Sequence, residues 1–180
     1  AIYLHEQGRD YTLLFADTGA ELPETYWIIP RVAKGLGKTL HIVSGPTFYQ
    51  ELSNRGFLLP GFRVRWCTRD LKEKPLLAAV PSDATMLVGI RADEDHRMII
   101  QPRNAPRTMT YERPLVEAGL DKAAVLELCR RYGLLNPCYD WRSSTSCFCC
   151  PFQRKSDWRN LAERHPDLYA LAEDWEAHSH

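Results

Sequence analysis

Residues 13–16 read Leu-Leu-Phe-Ala with no polar break, and the run ends abruptly in Asp17-Thr18-Gly19-Ala20-Glu21. A strand with one wet face alternates apolar and polar residues, so an unbroken run suits a strand covered on both faces, as in a parallel sheet. Parallel strands need long crossovers, and helix-like segments follow where such crossovers belong. "PETYWIIPRVAKGLGK" (23–38) carries a proline at its first turn and a second, Pro30, that predicts a kink. "TLHIVS" (39–44) reads as a second strand and "TFYQELSNRG" (47–56) as a helix closed by Gly56. Ahead of them, "AIYLHEQG" (1–8) reads as the last turns of a helix closed by Gly8.

The same alternation continues. Residues 57–66 are loop-like, and "CTRDLKEKPLLAAV" (67–80) predicts helix. "ATMLVGI" (84–90) predicts a third buried strand, and "MIIQ" (98–101) with "MTYERPL" (109–115) a fourth strand or a strand pair. "DKAAVLELCRRYG" (121–133) is amphipathic, and two short helices start near Ser156 and Pro166. Strands alternating with helices imply an α/β fold, with one parallel sheet flanked by helices on both faces. In such sheets ligands lie beyond the carboxyl ends of the strands. Two strand ends carry polar groups there: Asp17 to Glu21, and Gly89-Ile90-Arg91-Ala92-Asp93-Glu94.

Composition narrows the function. Lys+Arg and Asp+Glu both number 23, so net charge argues against a broad polyanion-binding surface and leaves only a local basic groove open. No apolar run is long enough to span a bilayer, which gives the expectation of no membrane partner. Residues 1–10 lack a signal-peptide layout, giving the expectation of a cytoplasmic, reducing setting. There, clustered cysteines more often hold a metal or do redox chemistry than form structural disulfides.

Three of the six cysteines fall in "SCFCCPFQ" (146–153). Cys147 and Cys150 form C-x-x-C, a spacing that lets two thiolates of one turn reach one metal. Cys138 precedes them across a loop that Asn136-Pro137 predicts to turn, and Cys149 competes as a ligand from its place beside Cys150. Cys129 shares an apolar helix face with Val125 and Tyr132 and reads as core. An all-thiolate set without histidine suits [4Fe–4S] or zinc, and spacing does not choose between them. Buried free thiols and a dithiol redox switch are the other readings.

"LLFADTGAELPETY", "RVRWCTRDLKEKPL", "VGIRADEDHR", "ERPLVEAGLDKAAVLELCRRYGL" and "NPCYDWRSSTSCFCCPFQ" occur in this order over nearly the whole chain. Together they resemble the phosphoadenosine phosphosulfate reductase-like family of the adenine-nucleotide α-hydrolase (PP-loop) group. The likeness is strongest to the phage and bacterial branch near the DNA phosphorothioation sulfur-transfer proteins. The resemblance implies a Rossmann-like parallel sheet in residues 1–136 that binds ATP or a related adenine nucleotide, and a cysteine-rich helical segment, 137–180, packed on it. It assigns Asp17, Thr18, Gly19, Glu21, Gly89 and Arg91 to the nucleotide, with Asp17 and Arg91 as catalytic candidates. Cys67, in the segment that supplies cluster cysteines in iron–sulfur members, joins Cys138, Cys147 and Cys150 as metal ligands, and a [4Fe–4S] cluster becomes the expectation over zinc.

An arginine fork matches phosphate oxygens and neutralises developing charge, which suits Arg91. Lys72 and Arg97 are weaker phosphate candidates, and Asp93 with Glu94 would suit a magnesium ion. Sulfur-donor or DNA-modification proteins are the implied partners. Two features depart from the family pattern. The Ser-Gly-Gly-x-Asp-Ser loop and the central strand before it are absent, so the expectation is an N-terminal truncation, or strands that have closed up. No cysteine follows Cys150, which removes the mobile-tail nucleophile of the assimilatory enzymes. The chemistry implied is sulfur transfer or reduction, or nucleotide α–β phosphate cleavage. The alternative is a truncated or degenerate member acting as a metal-containing binding or assembly subunit.

Overall fold

A computed structural model describes residues 1–94 and 105–179. The expected strand at 98–101, together with Arg97, lies outside them. Helix α1 (Ile2–Glu6) leads through Gly8 to strand β1 (Leu13–Asp17). Helix α2 (Pro23–Gly35) starts on Pro23 and carries Pro30 inside it, then returns the chain to β2 (Leu40–Ser44). The two strands pair in parallel from Leu13↔Leu40 to Asp17↔Ser44. Helix α3 (Phe48–Asn54) begins with a capping box: Gln50 N–H donates to Thr47 Oγ1 while Gln50 Oε1 accepts from Thr47 N–H.

The stretch expected to be plain helix is more elaborate. Short α4 (Trp66–Thr68) runs into a π-helical turn (Arg69–Glu73) and then α5 (Lys74–Ala78). Pro75 follows the π turn and has no N–H with which to close an α-type bond to Leu71, so the wider turn forgoes nothing there. Hydrophobic periodicity is blind to that one-residue change of pitch.

Strand β3 (Thr85–Leu87) pairs in parallel with β4 (Thr110–Glu112), both shorter than the apolar runs that foretold them. Helices α6 (Pro114–Glu117) and α7 (Lys122–Arg131) follow, the latter capped by Asp121. A 3-10 turn (Pro137–Asp140) starts at Asn136, whose Oδ1 accepts from Cys138 N–H. After the cysteine loop come α8 (Lys155–Arg164) and α9 (Pro166–Ala177).

The fold is therefore mixed α/β with parallel pairing. Among the described residues, however, β1–β2 and β3–β4 are two separate two-stranded sheets, and no ladder joins them into the single sheet expected from the sequence.

The principal core lies to one side of β1. Ala20, Leu22, Phe48, Leu52, Trp66 and Leu71 meet Cys138, Trp141, Phe148, Cys149, Leu161, Ala172 and Trp175 in one buried cluster. The Phe48 and Trp175 rings stack at 5.5 Å, and Trp66 and Phe148 tilt against them at 5.1 and 5.4 Å. Each such ring removes about 200 Å² from water, roughly 5 kcal/mol of gross transfer free energy. The segment after Asn136 is thus bound to the first strand's end by the largest side chains present. Cys129 packs in a smaller cluster with Ile2, Leu36 and Leu128. No described helix is long and apolar enough to cross a membrane.

Candidate functional site

β1 ends at Asp17 and the chain reverses at once. Gly19 sits at φ +68°, and a Cβ there would stand 3.2 Å from the Thr47 side chain, so both backbone and space require glycine. Asp17 Oδ1 accepts from Gly19 N–H at 2.9 Å and from the Tyr26 hydroxyl at 2.7 Å. Burial raises the Tyr26 phenol above its ordinary value, and the neighbouring Asp17 adds to it. Thr18 is fully buried; its hydroxyl donates to Glu21 Oε1 at 3.1 Å and accepts from Ala20 N–H at 3.3 Å.

The cysteine loop closes over this turn. Phe148 N–H donates to Ala20 C=O at 3.0 Å, which registers the loop backbone against the turn. The Cys147 thiol then falls 3.5 Å from Glu21 Oε1, to which it donates, and 3.8 Å from Thr18 Oγ1. Lys72 reaches the same Glu21 oxygen from the π turn at 3.5 Å. Three elements distant in sequence therefore meet on one carboxylate. Burial pushes the Cys147 thiol up to about 12; Glu21 adds to the rise and Lys72 opposes it. Burial also tends to discharge Lys72, but Cys147 and Glu21 more than offset this, and its ammonium is held above its ordinary value.

The other thiols divide into two sets. Cys67 and Cys149 are both raised, first by burial; Cys150 adds to the rise at Cys67, and Cys147 and Cys150 add to it at Cys149. Cys67 and Cys147 pack against the core cluster that holds Cys149, and of the thiols Cys147 alone touches Glu21. Cys138 is fully buried and pushed up to about 12 by burial, and its principal charged neighbours are Arg142, Glu24, Asp140 and Asp157 rather than the other thiols. Among the described residues no three His, Cys, Asp or Glu side chains stand ready to hold a metal, so thiols would have to turn toward one to ligate it. Their chemistry nevertheless fits: four soft donors, an apolar shell of Trp66 and Phe148, and a lysine nearby to offset thiolate charge.

β3 stops at Leu87, so Arg91 lies beyond the strand rather than at its end as the apolar run 84–90 predicts. Its Nε and Nη2 donate to Asp93 at 2.9 and 3.2 Å, and its Nη1 lies 3.4 Å from Glu94. The fork is therefore already engaged by carboxylates. Gly89 has open space around it, so packing does not demand glycine there.

Two residues escaped sequence reasoning. Arg142, only 4% exposed, donates from Nη2 to Ser146 Oγ at 3.0 Å and to Gln153 Oε1 at 2.5 Å, fixing the cysteine loop from within. Its signal was a lone arginine opening a Ser/Thr-rich run. Asp70, in the π turn, binds Arg55, Arg69 and Lys74 at the floor of a cleft of about 440 Å³ beyond Ser44, the carboxyl end of β2. Surrounding cations in "RDLKEK" were its only trace.

No family model matches the chain. It is similar to the uncharacterized protein MJ0066 of Methanocaldococcus jannaschii, 25% identical over 179 residues that take in 94% of this chain and 36% of the relative. The chain thus spans about a third of the length of that relative.

Proposed function

We propose that this chain is the nucleotide-binding and cysteine-centred part of a phosphoadenosine phosphosulfate reductase-like protein with a Rossmann-like ancestry. It would work in sulfur transfer or reduction, or in cleavage of an adenine nucleotide between its α and β phosphates. The observation that carries this reading is the placement of Cys147 against Glu21 and Thr18, because it makes the Asp17-Thr18-Gly19 turn and the cysteine loop one site. Asp17, Thr18, Gly19 and Glu21 would line the adenosine side, with Gly89 and Arg91 toward the phosphates and Asp93 and Glu94 available to magnesium.

Cys67, Cys147 and Cys150 would hold an iron–sulfur cluster, or zinc in its place. The fourth ligand would be Cys138 or Cys149, both buried in the same core cluster. A bound cluster would supply electron transfer or charge stabilisation beside the nucleotide. Around it, Glu21 would accept the Cys147 proton and Lys72 would balance the thiolate. Arg91 would exchange Asp93 for a phosphate oxygen, a swap that keeps its fork charge-assisted throughout.

One observation favours a second reading, a non-catalytic metal-containing assembly subunit: the Arg91 fork is already satisfied by Asp93 and Glu94. Anaerobic reconstitution followed by ATP and adenosine titration separates the two. The enzyme reading expects metal loading to fail in Cys67→Ser and Cys147→Ser but not in Cys129→Ser. It also expects Arg91→Ala to weaken ATP at least tenfold, or ~1.4 kcal/mol, while leaving adenosine unchanged. Metal loading with no nucleotide affinity would leave the assembly subunit. Full loading in Cys147→Ser would remove the shared site altogether.

A further inference from the structure

Residues 57–69 and 142–155 are two stretches without a single Asp or Glu, and each carries three cations. The fold brings them together. Phe62 meets Phe152 edge to face at 4.8 Å, and the Arg65 guanidinium lies 5.0 Å above the same Phe152 ring. Of the six cations, Arg69 is bound to Asp70 and Arg142 is buried in the cysteine loop. The other four, Arg63, Arg65, Arg154 and Lys155, are exposed. In a chain of zero net charge they form a local excess of positive charge. The carboxylates that next follow the two stretches are already engaged, Asp70 by Arg69 and Asp157 by Ser143 and the Arg154 backbone N–H.

Beside these cations stands an exposed aromatic ring. Phe62 is 91% exposed, although a phenylalanine ring ordinarily contributes its area to a core. Its loop is not frayed. Gly61 N–H donates to Val64 C=O at 3.1 Å and Val64 N–H returns to Gly61 C=O at 3.2 Å. Pro60 stiffens the entry, and the closed turn holds Phe62 and Arg63 out at its tip. Arg63 adjoins this exposed ring in sequence, and Arg65 packs on Phe152, the ring that Phe62 touches.

We infer that this face binds single-stranded nucleic acid, with Phe62 stacking on a base and Arg63, Arg65, Arg154 and Lys155 contacting the backbone. Unpaired cations alone would suit any polyanion, including an acidic polypeptide. The exposed ring is what selects bases, because every base offers a π-face and a carboxylate side chain does not. Duplex DNA is a poorer fit, since its bases are already stacked and Phe62 would gain nothing. The bound strand would pass the cysteine loop, as Cys67 and Cys150 each lie two residues from this face, at Arg65 and Phe152. The inference goes beyond the proposed function and depends on neither nucleotide nor metal binding.

Fluorescence anisotropy of the whole chain with labelled oligothymidylate, oligouridylate and a duplex tests it. Single strands should bind at least tenfold tighter than duplex. Four backbone contacts should make log affinity fall with log salt at a slope of about −3. Phe62→Ala should weaken binding about tenfold without changing that slope. Because Phe62 is almost wholly in water, its loss leaves the fold intact. The double variant Arg63→Gln with Arg65→Gln should flatten the slope by about 1.4. Absence of binding at low salt overturns the inference. So does equal affinity for duplex, or displacement by polyglutamate with Phe62→Ala indifferent, which would mark an acidic-polypeptide surface instead.

Discussion

Glu21 and Asp70 are both 6% exposed and both bound by the same helical stretch, yet they keep different company. Asp70 takes both arms of Arg69 at 3.0 and 2.8 Å, Arg55 at 2.9 Å and Lys74 at 2.6 Å. Glu21 takes a hydroxyl, a thiol and one lysine at 3.5 Å. Arg69 above all, with Lys74, holds the Asp70 carboxyl well below the usual carboxylate range, against burial. The difference separates a carboxylate locked among cations from one that is free to change partners. A carboxylate ringed by permanent cations has no proton to exchange and no vacancy to offer. One whose partners are a threonine, a cysteine and a single lysine can change partners, since a thiol's proton can leave and a metal or phosphate can take its place. The π turn makes the contrast possible: Asp70 looks toward Arg55 and α3, while Lys72, two residues later, reaches Glu21.

The largest effect should therefore come from the carboxylate that does no chemistry. Asp70→Ala removes a charged acceptor from four hydrogen-bonding arms and leaves Arg55, whose Nε is already buried without a partner, with Glu51 alone as its carboxylate. The loss should be about 2 kcal/mol, held down because Arg69 and Lys74 can turn to water. Urea denaturation checks it. A variant as stable as the parent would show that the cation ring merely solvates a surface charge, and the distinction from Glu21 would fail.

How much of this could be read from the chain divides along the same line. The elements were legible wherever a local rule governs them: the apolar run 13–16, Pro23 at the first turn of α2, the amphipathic stretch of α7, Asn136-Pro137 before the 3-10 turn. Asp17-Thr18-Gly19 announced itself as a polar strand end. What was not legible is long-range. Nothing near Cys147 in the sequence says that Glu21 is its partner, because 126 residues separate them. Nor does spacing choose between Cys149 and Cys138, which the fold buries in one core cluster. The π turn was hidden because one extra residue per turn leaves the pattern of apolar side chains almost unchanged. The splitting of the strands into two pairs was hidden because each run reads the same whichever neighbour it pairs with.

Acid should expose the same asymmetry with a smaller effect. The Asp70 carboxyl titrates below its ordinary 3.8, so its folded form holds on to its charge when the unfolded chain has lost it. For a depressed carboxyl the stabilisation is complete above the unfolded value and is lost as pH falls through the folded one. The stability gap between the parent and Asp70→Asn should be constant above about pH 5 and shrink only in stronger acid, below 3.8. Denaturation midpoints taken along a pH series give this directly. A gap that closes between neutrality and pH 5 would assign the effect to some other group.

The smallest stability effect should belong to Glu21, the carboxylate to which the proposed function gives a chemical role. In Glu21→Gln the amide oxygen can still accept from the Thr18 hydroxyl and the Cys147 thiol, so no buried donor is stranded. What disappears is the charge facing Lys72, whose side chain is 43% exposed and can be solvated instead. An ion pair so open to water is worth little, and the variant should lie within ~1 kcal/mol of the parent. The charge itself matters elsewhere: a neutral amide cannot take the thiol proton, so metal loading and any turnover should fall sharply in a protein that remains folded. Measuring denaturation and metal content on one preparation of Glu21→Gln, beside Asp70→Asn, reads both halves of the comparison. If Glu21→Gln unfolds as readily as Asp70→Asn while loading metal normally, the two carboxylates have been assigned the wrong way round.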